Sequence, residues 1–262
     1  MKQTTIIAAL GLALIATITP AISAAETAPA GGDRAVQAMS TKLASAKQFS
    51  FQAEREIDPA LLEGRSVPEK AKVDVRISRP NRFAARSVSR DGARRFIADG
   101  RNLTVVDEKK NLYAQVPMRT SIDGLVAQLD QNYGFTPPLA DFAVSNPYAE
   151  IRQQGHTITS MGRQKINGGV ECDHLALKSK EADVELWIGA SDQLPRKLVA
   201  TFHRAGRPQL RIAFSNWNLA APVAASDFTF TPPHGAQKIE MWTKARMQAQ
   251  AAATKQQPKS NP

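Results

Sequence analysis

The sequence predicts an α+β chain that is mostly β, with one curved antiparallel sheet covered by an N-terminal helix and a central helical insert. Three observations predict it. Run after run alternates apolar and polar residues with the two-residue period of a pleated strand. The runs are separated by short Gly, Asn, Asp and Pro turns, too tight for the crossover helices that a parallel sheet needs. Only residues 33–46 and 121–132 place apolar side chains at the three- and four-residue spacing of an amphipathic helix instead.

Taken in order, the chain opens with Lys2, an apolar run over residues 6–18, and the small residues Ser23 and Ala25 before Glu26. That is the layout of an export signal, and roughly thirteen apolar or small residues fall short of the ~20 that span a bilayer. Residues 1–25 are therefore expected to be removed, leaving a soluble periplasmic chain. Asp33 caps a helix whose buried stripe is Ala35, Val36, Met39, Leu43 and Ala46. Residues 48–57 read as a strand with Phe49, Phe51 and Ala53 on one face. After a loop at residues 58–70, strands are expected over residues 72–79, 82–90, 95–98, 103–106 and 112–116, joined by Pro80-Asn81, Asp99-Gly100 and a polar turn.

Ser121 caps the second helix, with Ile122, Leu125, Val126 and Leu129 as its apolar stripe, and Tyr133-Gly134-Phe135 ends it. Pro137-Pro138 opens an irregular stretch with a short helix over residues 139–144. This insert, residues 121–148, reads as a second cover for the sheet. Strands resume at residues 156–166, 170–178, 184–188 and 198–203, with another from Leu210. The folded part closes at Phe228 and Phe230, so residues 26–237 are expected to form one domain and residues 238–262 a flexible basic tail.

Charge and cysteine usage narrow the function. The formal net charge is +10, and Arg76, Arg79, Arg82, Arg86, Arg90, Arg94 and Arg95 meet only Asp91 within their own stretch. Arg82, Arg86 and Arg90 share one strand face and are the candidates for contact with an anionic membrane or an acidic envelope partner. Nucleic acid is excluded, because export removes the usual ligand and no zinc spacing or aromatic-studded RNA motif accompanies the arginines. A single cysteine, Cys172, allows no internal disulfide and is expected to be a buried, slowly reacting thiol. No Rossmann, Walker, nucleophile-elbow or HExxH pattern is present, and the i, i+2 carboxylates Glu171/Asp173 and Asp183/Glu185 suit a wet sheet face better than a glycosidase cleft. A metal site joining His174 and His203 is the weaker alternative to two structural histidines. No catalytic residue, metal or cofactor is expected.

Five phrases in a fixed order, DGRNLTVVDEKKNLYAQVP, SIDGLVAQLDQNYGFTPPLADF, NGGVECDHLALKS, VELWIGASDQLPRKLVATF and FTFTPP, resemble an uncharacterised family of predicted periplasmic proteins over most of residues 33–234. That family is similar in fold to the periplasmic lipoprotein carriers and receptors of the LolA/LolB type. The resemblance implies a strongly curved, incompletely closed antiparallel sheet, a half-barrel, and non-enzymatic carriage of a lipid, a lipoprotein acyl group or another hydrophobic ligand. The candidate lining is Leu125, Leu129, Tyr133, Phe135 and Phe142 from the insert above Val184, Leu186 and Ile188 from the sheet. The receptor type is anchored through a lipidated cysteine that this chain lacks at its processing site, so the resemblance is to an unanchored carrier. The rivals are an envelope scaffold or regulatory module that binds another protein through its surface and basic tail, and a periplasmic hydrolase. Neither the ligand nor the oligomeric state follows from the sequence.

Overall fold

The computed structural model describes residues 31–256 apart from residues 63, 167 and 221, and the expected export segment lies outside the described residues. Helix α1 (Gly31–Ser45) leads into β1 (Gln48–Ile57), β2 (Glu69–Ser78), β3 (Arg82–Ser89), β4 (Gly92–Ala98), β5 (Asn102–Asp107) and β6 (Leu112–Pro117). The insert holds α2 (Ile122–Tyr133), a 3-10 turn (Ala140–Phe142) and α3 (Pro147–Gln153). Strands β7 (Thr157–Ile166), β8 (Val170–Lys178), β9 (Ala182–Gly189), β10 (Pro195–Phe202) and β11 (Gln209–Asn218) follow, then a 3-10 turn (Ala225–Phe228), β12 (Gln237–Lys238) and α4 (Lys244–Gln256).

Among the described residues twelve strands form one sheet in the order β12-β6-β5-β4-β3-β2-β1-β11-β10-β9-β8-β7. Two antiparallel meanders meet at β1, which pairs with β2 on one side and with β11 on the other, Ala53 lying opposite both Val73 and Phe214. The sheet is open and is not strongly curled, which corrects the expected half-barrel. Alternation and turn length fix which strands pair and which side chains share a face, whereas curl depends on where bulges and kinking glycines fall. Register shifts fall at Ser50/Gln52, Ser160/Arg163 and Pro195/Lys197, one on each of β1, β7 and β10. The sheet is also mixed, because β12 runs parallel to β6 with Gln237 opposite Leu112.

The main core lies on one face. Phe49, Phe51, Val73, Val75, Ile77 and Phe83 are packed with Val36, Met39 and Leu43 of α1 and with Ile122, Leu125 and Leu129 of α2. Each such side chain contributes roughly 1.5–3 kcal/mol on full burial. Local chemistry fixes the ends of α2: the Ser121 hydroxyl accepts from the Gly124 amide at 3.2 Å, and Gly134 closes the helix at φ 73°, where a side chain would be strained. Arg79 then ties the covers together. Its guanidinium donates to the carbonyls of Ala46 (3.3 Å), Leu43 (3.4 Å), Ala143 (2.7 Å) and Val144 (3.2 Å), joining the end of α1 to the insert.

The C-terminal segment covers part of the opposite face. Ala84, Ile97 and Thr104 are in register across β3, β4 and β5 and are buried, as is Phe228 beside β3. Arg76 meets Asp227 at 3.6 Å, and Phe230 lies 5.1 Å from Tyr113. After β12 the chain turns round the β6 edge, so that Met241 packs on the main core and α4 contacts α2.

Candidate functional site

A cleft of about 770 Å³ lies between the core face of the sheet and the insert. Its floor is Ile57 of β1, Leu177 of β8, Ala182, Val184 and Leu186 of β9, Leu198, Ala200 and Phe202 of β10, and Leu210 and Ile212 of β11. Strand alternation explains the floor, since these positions share one face of the second meander. Val126 and Asp130 of α2, Phe135 to Leu139, Asp141 and Phe142, Ile151 of α3 and Gln154 just beyond it form the roof. Between the two helices the roof is irregular because Pro137-Pro138 cannot continue a helix. Leu139 is held at φ 61°, a left-handed conformation costing a leucine roughly 1–2 kcal/mol, and it is buried in the lining.

The expected lining residues divide into two groups. Phe135, Phe142, Val184 and Leu186 border the cleft, and Phe142 packs edge-on against Phe214 at 4.8 Å. Leu125, Leu129 and Ile188 are buried in the core away from it, while Tyr133 packs against Phe135 at 6.3 Å without reaching the lining. Helix α3 carries lining residues the sequence reading passed over. Its signal was present: Asn146 before Pro147 is a cap followed by a first-turn proline, and the Asn146 Oδ1 accepts from the Ala149 amide at 3.0 Å.

Polar groups concentrate at the rim and roof. At one end Arg55 donates to Glu69 at 2.6 Å, Arg65 meets Asp91 at 2.5 Å, and Arg94 lies 4.0 Å from Asp107, so these arginines already face carboxylates. Burial lowers the pKa of Arg55, opposed by Glu69, and its Nε is buried without a partner. In the roof, Asp141 is half-buried, and among the described residues its one donor is its own backbone amide. Desolvation, with a smaller push from Glu150, raises it to about 6. His156 has a buried Nδ1 without a partner, and desolvation lowers its pKa, which keeps the ring neutral at pH 7.

The remaining candidates lie elsewhere. Arg82 and Arg86 of β3 are exposed on the face opposite the core, with Arg86 donating to both oxygens of Glu108 at 3.1 and 2.8 Å, whereas Arg90 falls in the turn after β3 and not on the strand face expected for it, 3.8 Å from Asp91. Cys172 is fully buried and free, and burial raises its thiol pKa. His174 takes Glu185 at 2.8 Å and stacks on Trp187, whereas His203 takes Asp183 at 3.2 Å. Each histidine has its own carboxylate, and among the described residues no group of three or more His, Cys, Asp or Glu is placed to hold a metal ion.

The fold is similar to several solved structures. An uncharacterised conserved protein from Thermus thermophilus matches at 11% identity and TM-score 0.49, over 79% of this chain and 97% of its own. The MucA/MucB complex of Pseudomonas aeruginosa matches at 18% identity and TM-score 0.42, over 75% of this chain and 61% of its own. A LolA superfamily protein from Nitrosomonas europaea matches at 12% identity and TM-score 0.37, over 77% and 99%. No curated protein matches the sequence. Residues 32–242 match the family described as "Predicted periplasmic protein (DUF2092)", and the chain is a periplasmic member of that family.

Proposed function

We propose that this protein is a non-enzymatic periplasmic binder of a lipid, a lipoprotein acyl group or a similar hydrophobic ligand, with residues 1–25 removed on export. The observation that carries the reading is the cleft of about 770 Å³ with its apolar floor. Ligand pockets typically enclose about 300–1,000 Å³, and each methylene buried there contributes roughly 0.8 kcal/mol, so an acyl chain is held without any single specific polar contact. The test is native mass spectrometry of protein purified from its own periplasm, together with uptake of the neutral fluorophore N-phenyl-1-naphthylamine. A co-purifying lipid or saturable fluorophore uptake is expected. Absence of both would defeat the reading.

A second reading, docking onto an anionic membrane or an acidic protein, is supported by Arg82, which is exposed on the opposite face without an ion-pair partner among the described residues. Vesicles separate the two. Salt-sensitive association with anionic but not neutral vesicles, combined with no fluorophore uptake, would favour surface docking over the cleft.

A further inference from the structure

The cleft differs in charge from the protein that contains it. The chain as a whole is strongly basic at +10, yet the unmatched charge around the cleft is acidic. Arg55, Arg65 and Arg94 are matched by Glu69, Asp91 and Asp107. Asp123 is occupied by the amide and hydroxyl of Ser145 at 2.8 and 2.6 Å. That leaves Asp130 of α2, Asp141 of the roof turn, Glu150 of α3 and Glu181 beside β9, none with a cationic partner among the described residues. Against them stands Arg204 at the rim, exposed and lying 5.8 Å from the Phe202 ring. His156 adds no charge, because its burial favours the neutral ring.

We propose that the polar end of the ligand is an ammonium group, so that the cleft selects an amine-headed amphiphile over a fatty acid. This rests on the cleft being a ligand site. Asp141 is the residue on which the selection turns. It borders the cleft with only its own backbone amide as donor among the described residues, and entry of an apolar chain would expel the water that solvates it. A buried carboxylate left without a partner is strongly disfavoured, an ammonium group supplies the missing opposite charge, and an anionic headgroup adds a like charge beside Asp130 and Glu150. Glu150 and Glu181 are exposed, so they act on the approach of the headgroup as well as on its final position.

The test uses the full-length chain at pH 7.5 and three single-chain probes of equal length, dodecylammonium, dodecanol and dodecanoate. Each displaces N-phenyl-1-naphthylamine below its micelle-forming concentration. Dodecylammonium is expected to displace the fluorophore at about a tenfold lower concentration than dodecanoate, with dodecanol between them. Asp141→Asn and Glu150→Gln should each narrow that gap, while Glu54→Gln on the opposite face should keep it. Dodecanoate binding as well as or better than dodecylammonium would overturn the proposal while leaving the cleft reading intact, as would an undiminished gap in both cleft variants. If the fluorophore itself does not bind, the cleft reading falls and this inference falls with it.

Discussion

Replacing Asp141 by asparagine should stabilise the protein, and only above a defined pH. In the fold this carboxyl is raised from 3.8 to about 6, chiefly by desolvation and further by Glu150. A shift of one unit is worth about 1.4 kcal/mol, so the folded state is disfavoured by roughly 3 kcal/mol once Asp141 is ionised. The sign follows from which state holds the proton more tightly. Here it is the folded state, so the contribution is fully present below about pH 3.8 and is lost as pH rises through about 6. An asparagine carries no proton equilibrium and lacks this loss. Urea denaturation followed by tryptophan fluorescence, at intervals from pH 4 to 7.5, should show the variant gaining on the wild type by about 2–3 kcal/mol across that window. Any constant effect of the amide cancels in the pH dependence. A stability difference that stays flat from pH 4 to 7.5 would refute the assignment of Asp141 as an unpaired, desolvated carboxylate.

Three further outcomes follow from the same geometry. Arg79→Ala should cost about 3 kcal/mol or more, since it strands carbonyls of Leu43, Ala46, Ala143 and Val144 at roughly 1 kcal/mol each, and a thermal melt in which it matches wild type would contradict the tie between α1 and the insert. Cys172 should label with a thiol reagent far more slowly in native protein than in urea-unfolded protein, because it is fully buried and its thiol pKa is raised; equal rates would contradict that burial. Leu129→Ala should lose about 2–5 kcal/mol by leaving a cavity in the core, whereas Val184→Phe, which adds bulk to the cleft floor, should lose fluorophore uptake for at most about 1–3 kcal/mol; the reverse pattern would mean the core and the cleft are assigned to the wrong residues.

Much of the fold was legible because its determinants are local. Residues 48–57 and 170–178 were bounded correctly by alternation and turn residues alone, and Ser121 and Gly134 marked the ends of α2. What was not legible depends on relations between distant segments. Curl is one such relation: the half-barrel followed from the resemblance and not from any local pattern, and the sheet is open and not strongly curled. The two-residue β12 has no periodicity to detect and exists only because the C-terminal segment rounds the β6 edge. Leu125 and Phe142 look alike in the sequence as large apolar residues of the insert, yet the fold buries one in the core away from the cleft and sets the other at its border. Hydrophobicity identifies what is buried, but it does not distinguish burial against protein from burial against a ligand.

Two local rules are broken in the roof turn, and they are broken by neighbouring residues. Leu139 occupies a backbone conformation that disfavours side chains, and Asp141, two residues later, places a carboxylate where desolvation raises its pKa. Neither feature helps the chain fold: a glycine at 139 would relieve the first and an asparagine at 141 the second. Sequences retain such local conflicts chiefly where another requirement outweighs stability. Both residues border the same cleft, above floor positions that include the small side chains Ala182 and Ala200. A strained and charged turn of this kind is a poor arrangement for a solid core. It suits the ligand cavity proposed above, in which it would meet the charged end of an apolar chain.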